Sequence, residues 1–385
     1  MKKQIVIFLF ILISSTSFAQ LQVPENNVLY LSQGFVLTNL NSLGISNINN
    51  SVSNIGTTNP TSMIHFNKIS FGGSYHFETK LKEAYLASIG HKRISNELPQ
   101  SIGIVFPYEN FRLGLAFNQK YNSSAEFDRV PITTVEFPDG TGEYYKPIMK
   151  TKVLSYSVSA SYLFDNLFIE NSSLVFGARL TRNSLDYHEE LLSYSFDVKS
   201  ENYNWAFGVL FNHVIDIKKS FSVGILYESN INMKETIVHS DKNLNNNPNF
   251  SSSQFSLIYS ANFPAKVSFD LSADFINNIS LYSTVNYLLW SDVNSNLKNQ
   301  VELSFTGLYS FNEELKASFG FFTTDRNNEE NILGLNEKLR AIYLLAGINY
   351  KISLFNFGLS IADSHLFSDE WRMQSIAKLE FEINF

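Results

Sequence analysis

From about residue 69 to the end of the chain, apolar and polar residues alternate with a period of two. Strand side chains point to opposite faces in turn, so the pattern predicts strands with one greasy side and one polar side. The last segment is the clearest. Ala377, Leu379, Phe381, Ile383 and Phe385 share one face, while Lys378, Glu380, Glu382 and Asn384 share the other. Phe111, Leu113, Leu115 and Phe117 alternate with Arg112, Gly114, Ala116 and Asn118. Leu154, Tyr156, Val158, Ala160 and Tyr162 are separated by Ser155, Ser157, Ser159 and Ser161. Similar runs begin at Trp205, Phe221 and Lys266.

These runs predict strands at roughly 69–79, 100–107, 111–121, 151–164, 173–184, 203–215, 221–230, 264–274, 279–290, 301–310, 315–323, 340–350, 354–362 and 375–385, about fourteen in all. The connections between them alternate between long and short. Those at 80–99, 122–150, 185–202, 231–263, 291–300, 324–339 and 363–374 are the longer ones, and PYEN at 107–110 is typical of the tight ones. Outer-membrane barrels have this plan, with short periplasmic turns, longer external loops and an even strand count. It places both ends of the strand array on the periplasmic side.

The first residues support export. In MKKQIVIFLFILISSTSFAQ, Lys2 and Lys3 precede an apolar run from Ile5 to Ile13, and Ser17-Phe18-Ala19 forms a small-x-small site. That is the layout of a signal peptide cut before Gln20, and the run is too short for a spanning helix. Residues 20–68 are rich in Asn, Ser, Thr and Gly and show little alternation. They fit either a flexible periplasmic leader or a plug inside the barrel. The expected fold is therefore an all-β transmembrane antiparallel barrel of about fourteen strands over 69–385, with a signal peptide at 1–19 and a hatch or plug segment at 20–68.

Composition narrows the picture. There are 34 Phe and 19 Tyr, yet mean hydropathy is only −0.07. Aromatic richness without long apolar runs suits a barrel wall. Net charge is −7 and no basic tail is present, which argues against a nucleic-acid partner. With no cysteine, an exported chain depends on its backbone ladder and not on disulfides.

Chemistry-bearing residues are sparse. Seven histidines are scattered without a metal-ligand spacing, and Asp363-Ser364-His365 lacks the separated geometry of a triad. No catalytic residue, metal or cofactor is expected. Arg179, Lys266, Asp270, Asp274, Glu302, Lys378, Glu380 and Glu382 fall on polar faces, where they would line the lumen or pair with the leader.

Four features resemble the FadL-like family of outer-membrane transporters for long-chain fatty acids and aromatic hydrocarbons. Asn59-Pro60-Thr61 precedes the first strand, where the family shows Asn-Pro-Ala. Asn262-Phe263-Pro264-Ala265-Lys266-Val267 leads into a strand, and Trp290-Ser291 closes the next. The fourth is the whole plan of leader, strands and terminal aromatic, with Phe385 similar to the signal that barrel-assembly machinery reads. The departures suit a divergent, Bacteroidetes-type member: Thr61 replaces the alanine, glycines before it are sparse, and 231–253 is polar.

The resemblance implies an N-terminal hatch, a hydrophobic small-molecule ligand drawn from outer-membrane lipid, and passive release through the lumen or a wall opening. Pro60 would fix the turn where the hatch meets the first strand, and Pro264 would start a strand. Two other readings stay open. One is a structural or partner-binding barrel of a secretion or surface-anchoring machine, which its polar external loops favour. The other is a general porin, which needs an open lumen.

Overall fold

The alternating segments form fourteen strands in the computed structural model. They are β1 (Ser70–Glu78), β2 (Ser101–Tyr108), β3 (Phe111–Phe127), β4 (Ile148–Asp165), β5 (Ser172–Leu191), β6 (Tyr194–Asp216), β7 (Lys219–Glu228), β8 (Lys266–Ile276), β9 (Ile279–Leu288), β10 (Gln300–Ser310), β11 (Leu315–Thr324), β12 (Ala341–Ile352), β13 (Phe355–Asp363) and β14 (Ser375–Asn384). The structure describes residues 25–27, 40–48, 51–78, 91–93, 99–127, 130–131, 141–146, 148–166, 169–191, 194–216, 219–240, 254–276, 278–293, 299–324, 341–367 and 375–385.

Each strand pairs with its successor, and β14 returns to β1 from Ser70↔Asn384 to Glu78↔Ile376. The antiparallel ring is closed, so the ladders satisfy most backbone donors of the described wall without water. The short turns gather at one end, as between β2 and β3 or β12 and β13, and the long connections at the other. By the plan of such barrels, the short-turn end is periplasmic. At that end Phe385 N donates to Ile69 O at 2.9 Å, bringing the last residue against the start of β1.

The two faces of the wall reverse the distribution of a soluble protein. Val158, Leu180, Phe207, Ile225, Phe269, Leu303, Phe319, Ile348, Phe357 and Leu379 are exposed around the outside. Asn118, Ser155, Arg179, Asn183, Asp270, Thr306, Ser360 and Lys378 are buried inside. An apolar band running round the ring needs lipid, not water, as its solvent. Exposed aromatics flank it: Tyr162, Phe164, Tyr309 and Tyr350 toward the short turns, Tyr156, Tyr203, Trp205 and Tyr287 toward the long connections.

Several expected elements differ. His91–Arg93, within the expected connection 80–99, is a strand paired with the end of β3, and the β3–β4 ladder continues into 122–150 as far as Glu126↔Ile148. Residues 185–202, read as a loop, continue β5 and β6, whose ladder runs from Tyr194↔Leu191 to His213↔Ser172. Apart from the buried Glu189, the charges there sit on the outward face, where the pairs Arg182–Glu201 and His188–Asp197 form across strands, so polarity marks a water-exposed wall. In 231–263, Ile231–Ser240 and Gln254–Phe263 are strands of a second sheet, ordered Glu25–Asn27, Gln254–Phe263, Ile231–Ser240. Finally, β9 ends at Leu288, and Trp290–Asp292 is a short 3-10 turn instead of strand. The chain divides into two compact units, Met1–Asn26 with Thr236–Tyr259, and Asn27–Glu235 with Ser260–Phe385. The barrel and residues 40–66 belong to the second.

Candidate functional site in the barrel lumen

Residues 40–48 and 51–66 are mostly buried but lie in no strand. Their backbone groups bond partly within the segment, as Asn59 N does to Asn47 O at 2.9 Å, and partly to inward side chains from around the ring. Ser42 N donates to Glu380 of β14 at 2.8 Å, and its carbonyl accepts from Ser318 of β11 at 2.9 Å. Ile45 N donates to Thr306 of β10 at 3.3 Å, Asn47 N to Asp270 of β8 at 3.3 Å, and Val52 N to Glu382 of β14 at 3.3 Å. At the short-turn end Arg112 of β3 donates through Nε to Phe66 O at 2.6 Å. Several inward charges read from strand parity therefore pair with this segment.

Asn59 and Pro60 form its most constrained point. Asn59 caps the 3-10 helix Pro60–His65: its Oδ1 accepts from Thr61 N at 3.1 Å and Thr61 Oγ1 at 2.7 Å. Proline is favoured at such a first position because its missing N–H would be unpaired there anyway. Asn59 Nδ2 also donates to Ile225 O of β7 at 3.1 Å. The wall accommodates this turn through two glycines paired across β5 and β6, Gly177 and Gly208. A Cβ at Gly208 would overlap Asn59 Oδ1, and one at Gly177 would lie 2.8 Å from Thr61 N. Pro60 thus opens a helix, while β1 begins only at Ser70.

On the β11–β14 side the contact is apolar. Leu40 and Ile45 pack with Phe322, Tyr343, Leu345, Ala362 and Ile376, all buried. Phe322 and Tyr343 stack with ring centroids 4.8 Å apart. These wall residues lie toward the long-connection ends of their strands. Beside them Lys378 donates to Leu40 O at 2.7 Å and Asn54 Oδ1 at 2.9 Å. The arrangement is a packed apolar cluster around Leu40 and Ile45, with a buried cation at its polar edge.

On the β3–β8 side the contact is ionic. Lys120 is the extra residue of a β-bulge in β3, and with Tyr121 it reaches the Phe263 ring. Its ammonium meets Glu228 of β7 at 2.9 Å. Glu228 also meets Arg179 of β5 at 3.2 Å and Lys266 of β8 at 3.5 Å, and accepts from Asn204 of β6 at 3.2 Å. Because β3 and β7 are not neighbours, the Lys120–Glu228 pair bridges the lumen. Arg179 ties the bridge to the segment by donating to Thr58 O at 2.5 Å. Sequence parity had marked Arg179 and Lys266 but not Lys120 and Glu228 as site residues; Lys120 extends the polar face of Arg112 to Asn118.

The wall has one short ladder. β1 and β2 pair only from Ser70↔Val105 to Ser74↔Ser101. Gln100 N donates to Ser74 O at 2.7 Å just above. Beyond that point, among the described residues, no ladder joins β1 to its neighbour on this side.

The remaining motif residues lie elsewhere. Pro264 sits in the two-residue link between Gln254–Phe263 and β8, just before the strand it was expected to start. Trp290 Nε1 donates to Gln300 at 2.8 Å, and Ser291 N donates to Asn299 at 2.9 Å, fastening the turn to the start of β10. Asp363 accepts from Ser375 Oγ at 2.5 Å and contacts His365 Nδ1 at 3.0 Å, so the carboxylate sits between hydroxyl and imidazole, unlike a triad. Among the described residues no group of three or more His, Asp or Glu side chains is placed to hold a metal.

Fold and lumen define the class: a closed fourteen-stranded outer-membrane-type barrel with an N-terminal segment bound to its inner wall. Solved structures share this fold at low identity. A FadL homologue of Pseudomonas aeruginosa matches with a TM-score of 0.59 and 13% identity, covering 91% of this chain and 100% of its own. The toluene transporter TodX of Pseudomonas putida matches at 0.57 and 12%, covering 94% and 99%, and the monoaromatic hydrocarbon channel CymD at 0.55 and 13%, covering 91% and 99%. No family model and no curated protein matches the sequence. The resemblance to FadL-type channels is thus one of fold, and that fold points to the outer membrane.

Proposed function

We propose that this chain is a passive outer-membrane channel for hydrophobic small molecules, long-chain fatty acids or aromatic hydrocarbons, with residues 40–66 as its hatch. The observation that carries the reading is the apolar cluster in which Leu40 packs against the inner wall. A hydrophobic contact is non-directional, so an apolar ligand of similar bulk can replace the leucine side chain, at the cost of the bond from Lys378 to Leu40 O. The ligand enters at the long-connection end, displaces Leu40 and leaves where the β1–β2 ladder is short. The chemistry named for TodX and CymD, and the fold of the FadL homologue, support this class of cargo. In the same reading residues 1–19 are removed on export, residues 20–68 form the hatch region, and Phe385 serves assembly.

The test is purification of the full chain in detergent, with mass spectrometry of what accompanies it and uptake assays of labelled oleate and toluene. Near-stoichiometric apolar molecules, with uptake altered in Leu40→Ala, are the expected result. A stable protein partner with no apolar ligand would instead favour a partner-binding barrel. One observation favours that second reading: the charged outward rim of the extended β5–β6 hairpin.

A further inference from the structure

Among the described residues, the buried acids of the wall are Glu189, Glu228 and Asp270. Two of them are well partnered. Glu228 meets Lys120, Arg179 and Lys266, and Asp270 accepts from Asn47 N, Asn47 Nδ2 and Thr284 Oγ1. Glu189 has only the Tyr187 hydroxyl, which donates to its Oε2 at 2.5 Å; among the described residues it meets no cation and no backbone N–H. It is 5% exposed and lies on the inward face near the free end of the β5–β6 hairpin, beyond the lipid band. Register sets Met149 of β4 on one side of it and Phe196 of β6 on the other. The Tyr187 and Phe196 rings are 6.3 Å apart, tilted by 57°. Next along the same face come Leu185 and Val198, both buried and uncharged. The charged His188, Glu190 and Asp197 pair with one another on the opposite face. A buried carboxylate needs a counter-charge, and these strands supply none.

We propose that Glu189, Tyr187 and Phe196 form a binding site for a small organic ammonium ion at the external mouth of the barrel. The carboxylate supplies the counter-charge, and the two rings supply the faces over which such a cation is held. The Met149 thioether adds an apolar, polarisable side. A ligand with a cationic nitrogen and carbon around it satisfies the acid and the rings together. A bare metal ion, which needs a shell of oxygens, does not. The site is built on the wall and not on residues 40–66, so it stands whether or not anything crosses the barrel.

The experiment is calorimetric titration of the detergent-purified full chain with benzylammonium at neutral pH and fixed ionic strength. Benzyl alcohol, of similar shape without the charge, is the control. Wild type should bind one ammonium ion saturably, and the alcohol about tenfold more weakly or worse, because the alcohol leaves the acid without a counter-charge. Glu189→Gln keeps the shape of the side chain and an acceptor for Tyr187, and should weaken ammonium binding about tenfold or more. Phe196→Leu should weaken it about threefold, as the loss of one ring face. No saturable binding of the ion, equal binding of the alcohol, or a Glu189→Gln variant that binds as wild type does overturns the site. Should Glu189→Gln fail to fold, the comparison of ion with alcohol in wild type decides. Uptake of oleate or toluene fails or succeeds independently of these titrations.

Discussion

The two sides of the lumen hold the same segment by different physics. Toward β11–β14, the Leu40 and Ile45 side chains sit in an apolar cluster that gains little from any particular geometry, although Ser318, Lys378 and Glu380 hold the backbone beside it. Toward β3–β8, Thr58 and Asn59 are fixed by an arginine, a cross-lumen ion pair and a glycine-lined recess, each demanding a defined position. Apolar contact is easily exchanged for another apolar body, whereas a buried charge left without its partner is strongly unfavourable. The apolar side is therefore the side where a ligand can compete, and the ionic side is the anchor about which the segment moves.

The strongest way to break this contrast is to remove the anchor. Glu228→Ala leaves three cations facing one another, a loss of about 3–5 kcal/mol by analogy with broken buried pairs. Amide hydrogen exchange should rise sharply at 57–62, while 42–47 stays protected by its own tethers to β10 and β14. Equal loosening of both stretches would mean that the segment is a single cooperative body.

Leu40→Ala tests the other side. Deleting a buried leucine side chain removes roughly 2–5 kcal/mol. Protection should fall around 40–45 and remain near Asn59. If the cluster is where cargo competes, this variant should also take up oleate or toluene faster. Unchanged uptake with lost protection would separate the cluster from the transport route.

Gly208→Ala sharpens the anchor itself. The new methyl would overlap Asn59 Oδ1, so the Asn59-Pro60 turn must withdraw from β6. Overpacking of this kind costs about 1–3 kcal/mol. Proteolysis of the folded barrel near Pro60 is the readout, and the wall should be intact because outward residues of β6 are untouched. A variant as resistant as wild type would show that the recess is not a close fit.

The wall was legible because strand alternation is local: Leu379 and Lys378 declare their faces within two residues. The same parity placed Arg179, Lys266, Lys378 and Glu380 inside. It could not say what they meet, since Glu380 binds Ser42 from 338 residues away. Residues 185–202 were misread for a physical reason. Above the lipid band the outward face turns charged, and Asp186, Glu190 and Lys199 look like loop although the ladder continues beneath them. The segment 40–66 has no period to read, because its backbone is satisfied by irregular turns of its own and by other strands' side chains. Lys120 sits at a bulge, where register shifts between Gln119 and Tyr121.

The smallest expected effect comes from the departure at the motif, where Thr61 stands in place of the alanine of the resembled pattern. Thr61 Oγ1 donates to Asn59 Oδ1 at 2.7 Å, duplicating the cap already made by Thr61 N at 3.1 Å. Thr61→Ala removes one of two donors to the same oxygen, so the cap survives and the loss should be about 0.5–1.5 kcal/mol. Asn59→Ala in the same background removes both, and should cost about 0.5–2 kcal/mol as lost caps do. Hydrogen exchange at 60–65 in the single and double variants measures the coupling between them. A single variant indistinguishable from wild type would make the hydroxyl redundant. One as loose as the double would make the hydroxyl the main support of Asn59, and would mean that this chain holds its turn differently from an Asn-Pro-Ala sequence.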